Sequence, residues 1–179
     1  MRYWLVGIIF FTLMGREAYA QFFPPVQQKA AATGIGLYSE VGYPGSYLLS
    51  IAHSREYQLR TWFTFGAEGV LYRFTKGPYS SVGATIRPVT RLFVDATPQL
   101  RLFAEAKGGV IFMLPEYPHR LVNFVFVGSV GATWQYSKYN GLRLSCGYNH
   151  LSNGKRKGDA INPTWDGIGG ELMYVHTPH

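Results

Sequence analysis

The feature that most constrains this chain is strict two-residue alternation in segments longer than soluble strands need. From Val122 to Gln135 the even positions Val122, Phe124, Phe126, Gly128, Val130, Ala132 and Trp134 form one apolar face. The odd positions include Asn123, Ser129, Thr133 and Gln135. Period two is the signature of a strand, because successive side chains leave opposite faces. Gln99 to Leu114 repeats it. Leu100, Leu102, Ala104, Ala106, Val110, Phe112 and Leu114 share one face, and Gln99, Arg101, Glu105 and Lys107 share the other. Near Leu59 to Phe74, Arg60, Thr64 and Glu68 oppose Leu59, Phe63, Phe65 and Leu71; in Ser81 to Thr90, Thr85 and Arg87 oppose Val82, Ala84 and Ile86. A face carrying charges at every second residue suits the polar interior of a small membrane barrel, where charges from neighbouring strands pair.

These segments predict eight strands, near 33–43, 46–54, 58–74, 79–93, 99–114, 121–136, 140–152 and 165–176. The fold expected is an eight-stranded antiparallel transmembrane β-barrel over 33–179, preceded by an N-terminal extension over 21–32 that carries Pro24-Pro25. An even strand number puts both termini on the periplasmic side. The turns Asp95-Ala96-Thr97-Pro98 and Ser137-Lys138-Tyr139-Asn140 then face the periplasm, and the longest connection, Asn153 to Thr164, faces outward. A secreted lipocalin-like barrel would alternate too, but with its apolar face inward and its charges in water. The continuous, aromatic apolar faces favour the membrane.

Composition agrees. Aromatic residues make up 16% and charged residues only 15%, yet no stretch after residue 20 is apolar for the roughly 18 residues a spanning helix requires. Arg2, the apolar run Tyr3 to Met14 and the small-x-small Ala18-Tyr19-Ala20 read as a cleaved signal peptide over 1–20. Its removal takes Lys+Arg from 17 to 15 and Asp+Glu from 10 to 9, a net charge of +6. On an exported chain that charge points to anionic lipid rather than nucleic acid. Cys146 is the single cysteine, so no intrachain disulfide forms. A closed barrel is another source of stability.

The richest segment is Tyr148-Asn149-His150-Leu151-Ser152-Asn153-Gly154, followed by Asn162-Pro163-Thr164-Trp165-Asp166. In a strand, His150 and Ser152 point to one face, roughly 7 Å apart at Cα. A serine hydroxyl becomes a nucleophile when an adjacent imidazole takes its proton, and the imidazole needs a third group to fix its tautomer. Asp166 and Glu171 are the candidates, and parity separates them. His150 and Ser152 continue the face of Leu142, Leu144, Cys146 and Tyr148. Asp166 lies on the corresponding face of the last strand with Ile168, Leu172 and Tyr174, whereas Glu171 points inward. Backbone N–H groups near Asn153 and Gly154, with the Asn153 amide, are candidates for an oxyanion hole. Lys155, Arg156 and Lys157 read equally as attraction for lipid phosphates or as a solvated loop.

These residues resemble the lipid A 3-O-deacylase (PagL-like) family. The likeness rests on His150-x-Ser152-Asn153 and Asn162-Pro163, with RLFAEAKGGVIFM and NFVFVGSVGATW upstream, and covers roughly residues 60–176. It implies an outer-membrane serine esterase of a Gram-negative bacterium, cleaving an ester-linked acyl chain of lipid A in lipopolysaccharide at the 3-position. Ser152, His150 and Asp166 would be the triad, and Asn162 would support it. Asp166 follows Asn162 by four, where the family places its acid, but the family's best-known members carry glutamate there. That difference bears on efficiency and keeps a second reading open, a non-catalytic structural or adhesive barrel. No cofactor is implied, and a homodimer is allowed without being required. His53, His119, His176 and His179 lack metal-ligand spacing, Cys146 reads as a small apolar filler, and Gly34-Ile35-Gly36 has no following helix for nucleotide binding.

Overall fold

A computed structural model describes residues 28–114, 121–152 and 164–177. Eight strands follow one another: β1 (Gln28–Glu40), β2 (Ser46–Arg60), β3 (Phe63–Lys76), β4 (Tyr79–Asp95), β5 (Leu100–Leu114), β6 (Val122–Gln135), β7 (Asn140–Ser152) and β8 (Trp165–His176). Each pairs antiparallel with its neighbour, and β8 pairs back onto β1, closing a barrel with no free edge. The lengths run from 12 to 17 residues. A tilted strand needs only about 9–11 residues to cross a bilayer.

The largest departures from the expected boundaries lie at the start of β1 and between β2 and β3. β1 begins at Gln28, inside the segment expected to be an extension, and runs through Lys29 to Ala32. β2 continues to Arg60, so Gln58 to Arg60 belong to it rather than to the third strand. The connection is the pair Thr61-Trp62, with a bulge where Gln58 and Arg60 face β3. The expected signal peptide over 1–20 and residues 21–27 lie outside the described residues. The turns at 96–99 and 136–139 are short, as expected, and are closed by backbone bonds such as Ala96 N to Leu100 O at 2.9 Å. The turns at 41–45 and 77–78 sit at the opposite, upper end, where β7 ends and β8 begins. Gly42, Gly45 and Gly77 take positive φ there, where a side chain would be strained.

The alternation sorts outside from inside as read. Phe65, Ile86, Leu102, Val110, Phe112, Phe126, Val130 and Leu144 are exposed, Ile86 by 82%, whereas Glu68, Arg87, Arg91 and Lys107 are exposed by 1% or less. Apolar residues out and charges in is the reverse of a lipocalin and is what a bilayer demands. Tyr57, Trp134, Tyr136 and Tyr174 ring the lower outer wall, and Tyr43 and Tyr47 mark the upper rim.

The interior has two layers. In the upper half Leu48, Phe74, Ile111, Met113, Val125, Leu151 and Trp165 form an apolar plug. Across the middle and lower half lie Arg87, Arg91, Lys107 and Arg143 with Glu56, Glu68, Glu105 and Glu171, four cations against four anions. Lys107 Nζ lies 2.5 Å from Glu171, 3.2 Å from Glu68 and 3.2 Å from Glu105. Arg87 donates twice to Glu68, at 2.9 and 2.6 Å, and Arg143 reaches Glu56 at 2.9 Å. Arg91 bridges Glu56 and Glu105. Exact pairing matters because an unpaired charge in this low-dielectric space is costly. Arg101 pairs with Asp95 at the lower rim rather than in the buried network. A cavity of about 60 Å³ at the lower end, lined in part by Glu56, Arg101 and Arg143, is far smaller than the roughly 300–1,000 Å³ of ligand sites.

Candidate active site

β7 ends in Leu151-Ser152, and β8 begins at Trp165. Leu151 and Trp165 point inward, face each other in register and are fully buried. Trp165 is fixed by a 2.9 Å bond from Nε1 to Ser46 Oγ and by an edge-on contact with Phe74, ring centroids 5.8 Å apart. Its ring lies over Gly167, where a Cβ would come within 2.9 Å of the ring edge. The plug thus holds the upper ends of β7 and β8 from inside, and the outward residues on either side of Leu151 and Trp165 are presented on a rigid wall.

Those outward residues are His150, Ser152 and Asp166. His150 and Asp166 are direct cross-strand partners. His150 Nδ1 lies 2.6 Å from Asp166 Oδ1. Tyr148, two residues below His150 on the same face, donates its hydroxyl hydrogen bond to the same Oδ1. The Tyr148 and His150 rings are near parallel, at 18° with centroids 6.4 Å apart. Across β6, Phe126 faces His150 and Phe124 faces Ser152. The His150 and Asp166 side chains are 33% and 37% exposed, so the pair is open to the surroundings of the barrel. Below it the missing side chain at Gly128 and the small Cys146 leave a shallow apolar groove, bounded by Val130, Tyr148 and Ile168.

Parity therefore holds for both candidate acids. Asp166 is outward against His150, and Glu171 is inward, bonded to Lys107 and to Tyr38 at 3.0 Å. Ser152 shares the outward face at the last residue of β7. Asn153, Gly154, Lys155, Arg156, Lys157 and Asn162 lie outside the described residues. Among the described residues no group of His, Cys, Asp and Glu is arranged to hold a metal. Tyr148 was not singled out by sequence reasoning as a partner of the acid. Its place on the outward face was readable, but a diagonal contact to Asp166 is decided by side-chain rotamers. With Nδ1 engaged by a carboxylate, Nε2 is the ring nitrogen left to take a proton. Ser152 lies two residues away on the same face as the imidazole so held, and a hydroxyl can be activated by an imidazole only when it comes within hydrogen-bond reach.

Comparison with known proteins identifies the family and the fold. The family model described as Lipid A 3-O-deacylase (PagL) matches residues 2–174. The crystal structure of the outer membrane enzyme PagL aligns with 85% of this chain and 99% of its own, at 18% identity and a TM-score of 0.53. The crystal structure of Neisserial surface protein A (NspA) aligns with 83% of this chain and 92% of its own, at 15% identity and a TM-score of 0.53. At these identities the solved structures speak to the barrel alone. No curated protein sequence matches the chain.

Proposed function

The chain belongs to the lipid A 3-O-deacylase (PagL) family, and from that premise we propose that it is an outer-membrane serine esterase that removes the 3-position, ester-linked acyl chain of lipid A. The observation that carries the proposal is the 2.6 Å contact between His150 and Asp166 on the outer wall, with Ser152 on the same face. A polar group on a lipid-facing wall is costly, and its presence there points to a function. A substrate that is itself a membrane lipid supplies that function, because its ester reaches the wall without leaving the bilayer.

In this mechanism Ser152 Oγ attacks the acyl carbonyl while His150 Nε2 takes the hydroxyl proton. Asp166 holds Nδ1–H and stabilises the imidazolium that forms. The oxyanion is received by N–H groups near Asn153 and Gly154, with Asn162 in support. His150 returns its proton to the departing sugar oxygen. Water, deprotonated by the same imidazole, then releases the fatty acid from Ser152. The groove between Val130, Tyr148 and Ile168 takes the acyl chain as it descends into the bilayer. Lys155, Arg156 and Lys157 draw the lipid A phosphates to the upper rim. The chain reaches the membrane by a signal peptide cleaved after Ala20.

A non-catalytic surface barrel is the second reading, favoured by the aspartate at the acid position. Overall shape does not separate the two, since the NspA and PagL structures align with the same TM-score. Mass spectrometry of lipid A from cells producing the chain does. The esterase reading expects a species lighter by one 3-linked acyl chain with the parent, and unmodified lipid A with Ser152→Ala and with His150→Ala. Unmodified lipid A in all three, with folded barrel in the membrane, supports the scaffold reading.

A further inference from the structure

Two donors converge on one oxygen of Asp166, the Tyr148 hydroxyl and His150 Nδ1. From this convergence we infer that Tyr148 is a positioning residue that anchors the Asp166 carboxylate, so that an aspartate serves where a longer acid would otherwise be needed. The inference rests on the esterase reading.

The register makes the contact specific. Asp166 sits directly across from His150, whereas the direct partner of Tyr148 is Ile168. Tyr148 therefore reaches Asp166 along the diagonal, a span within reach of long and aromatic side chains but not of small ones. A carboxylate oxygen can accept two hydrogen bonds, so the tyrosine adds to the histidine contact instead of displacing it. Two physical consequences follow. The carboxylate stands on a wall of Phe126, Tyr148 and Ile168, where an ionised group needs hydrogen bonds in place of water. The short aspartate stem must also be kept in the one rotamer that meets Nδ1, and a hydroxyl fixed to the rigid β7 does that. Near-parallel stacking of the two rings keeps the hydroxyl and the imidazole in step.

The test is a two-by-two set of purified barrels, the parent, Tyr148→Phe, Asp166→Glu and the double variant, assayed for fatty-acid release from lipid A in detergent micelles. Loss of a hydrogen bond to a charged group predicts a kcat lower by about tenfold to a hundredfold in Tyr148→Phe. KM should stay within about threefold, since the bond acts through the histidine and not on bound substrate. In the Asp166→Glu background the same change should cost less than about threefold, because the longer acid reaches His150 unaided. The second readout is independent of turnover. In barrels with ring-labelled histidine, the low-field Nδ1–H resonance of His150 should move upfield in Tyr148→Phe. A kcat within about twofold of the parent, an equal loss in both backgrounds, a change in KM alone, or an unmoved His150 resonance would each overturn the inference. If the parent releases no fatty acid, or Ser152→Ala releases as much, the esterase reading has failed instead. The His150 resonance then decides on the anchor by itself.

Discussion

Replacing Asp166 with Asn keeps the size and shape of the side chain and removes its charge. The cost follows from the geometry. His150 Nδ1 and Asp166 Oδ1 are 2.6 Å apart, which puts the charge centres of an imidazolium–carboxylate pair at roughly 4 Å. At an effective dielectric near 20 such a pair is worth about 4 kcal/mol. Both side chains are about one-third exposed, and screening roughly halves the figure. The remaining ~2 kcal/mol, lost from the transition state in which His150 is charged, corresponds to about thirtyfold in rate. That is a floor, because the carboxamide also has an NH₂ to present. If it donates to Nδ1 it inverts the tautomer and takes away the base at Nε2, a change that costs about 10⁴ in a comparable triad. Turnover of Asp166→Asn should therefore fall by between about thirtyfold and ten-thousandfold. Fatty-acid release by purified barrels in detergent measures it, with heat-modifiable gel mobility as the check on folding. Glu171→Gln is the control, since Glu171 faces Lys107 and Tyr38 inside the barrel. A fully active Asp166→Asn beside an inactive Glu171→Gln would refute the reasoning and shift the β8 register by one.

The other predictions test the wall and the interior. Asp166→Glu restores the length usual in the family, and release should hold or rise; a large fall would mean the site is built around aspartate alone. Lys107→Met leaves Glu68, Glu105 and Glu171 without their shared cation, a loss of about 3–5 kcal/mol that should lower the urea midpoint of the barrel in lipid; an unchanged midpoint would contradict the buried network. In a Cys146→Ser background, cysteines at Leu102, Ala104 and Val110 should react with a lipid-phase maleimide while cysteines at Ser129 and Ser145 stay protected; the reverse pattern would turn the barrel inside out.

Most of this architecture was legible because a one-residue slip in a strand exchanges its two faces. Parity alone therefore put Arg101, Glu105 and Lys107 on one side and His150, Ser152 and Asp166 on the other, and the register adds that His150 and Asp166 face each other directly. The β2–β3 turn was hidden for the same reason. Thr61-Trp62 is two residues long, so Leu59 and Phe63 keep the same phase and the alternation runs through unbroken, with no Gly, Pro, Asn or Asp to mark the bend. The start of β1 was missed because Ala30-Ala31-Ala32 has no contrast between faces. The upper plug was not foreseen either. Leu48, Met113, Val125 and Trp165 are apolar residues on the inward face, and periodicity cannot tell an apolar residue meeting the plug from one meeting lipid when its strand is apolar on both sides. Tyr148 was legible as an outward residue but not as a partner of the acid, because that contact crosses the diagonal.

The central claim is that Ser152 is a nucleophile activated by His150 on the outside of the barrel. Covalent labelling with a fluorophosphonate carrying an alkyl tail, followed by intact mass and peptide mapping, measures this directly. The account predicts one adduct per barrel, on Ser152, absent in Ser152→Ala and strongly slowed in His150→Ala and Asp166→Asn. A folded parent barrel that takes no label, or labels at another residue, would contradict it.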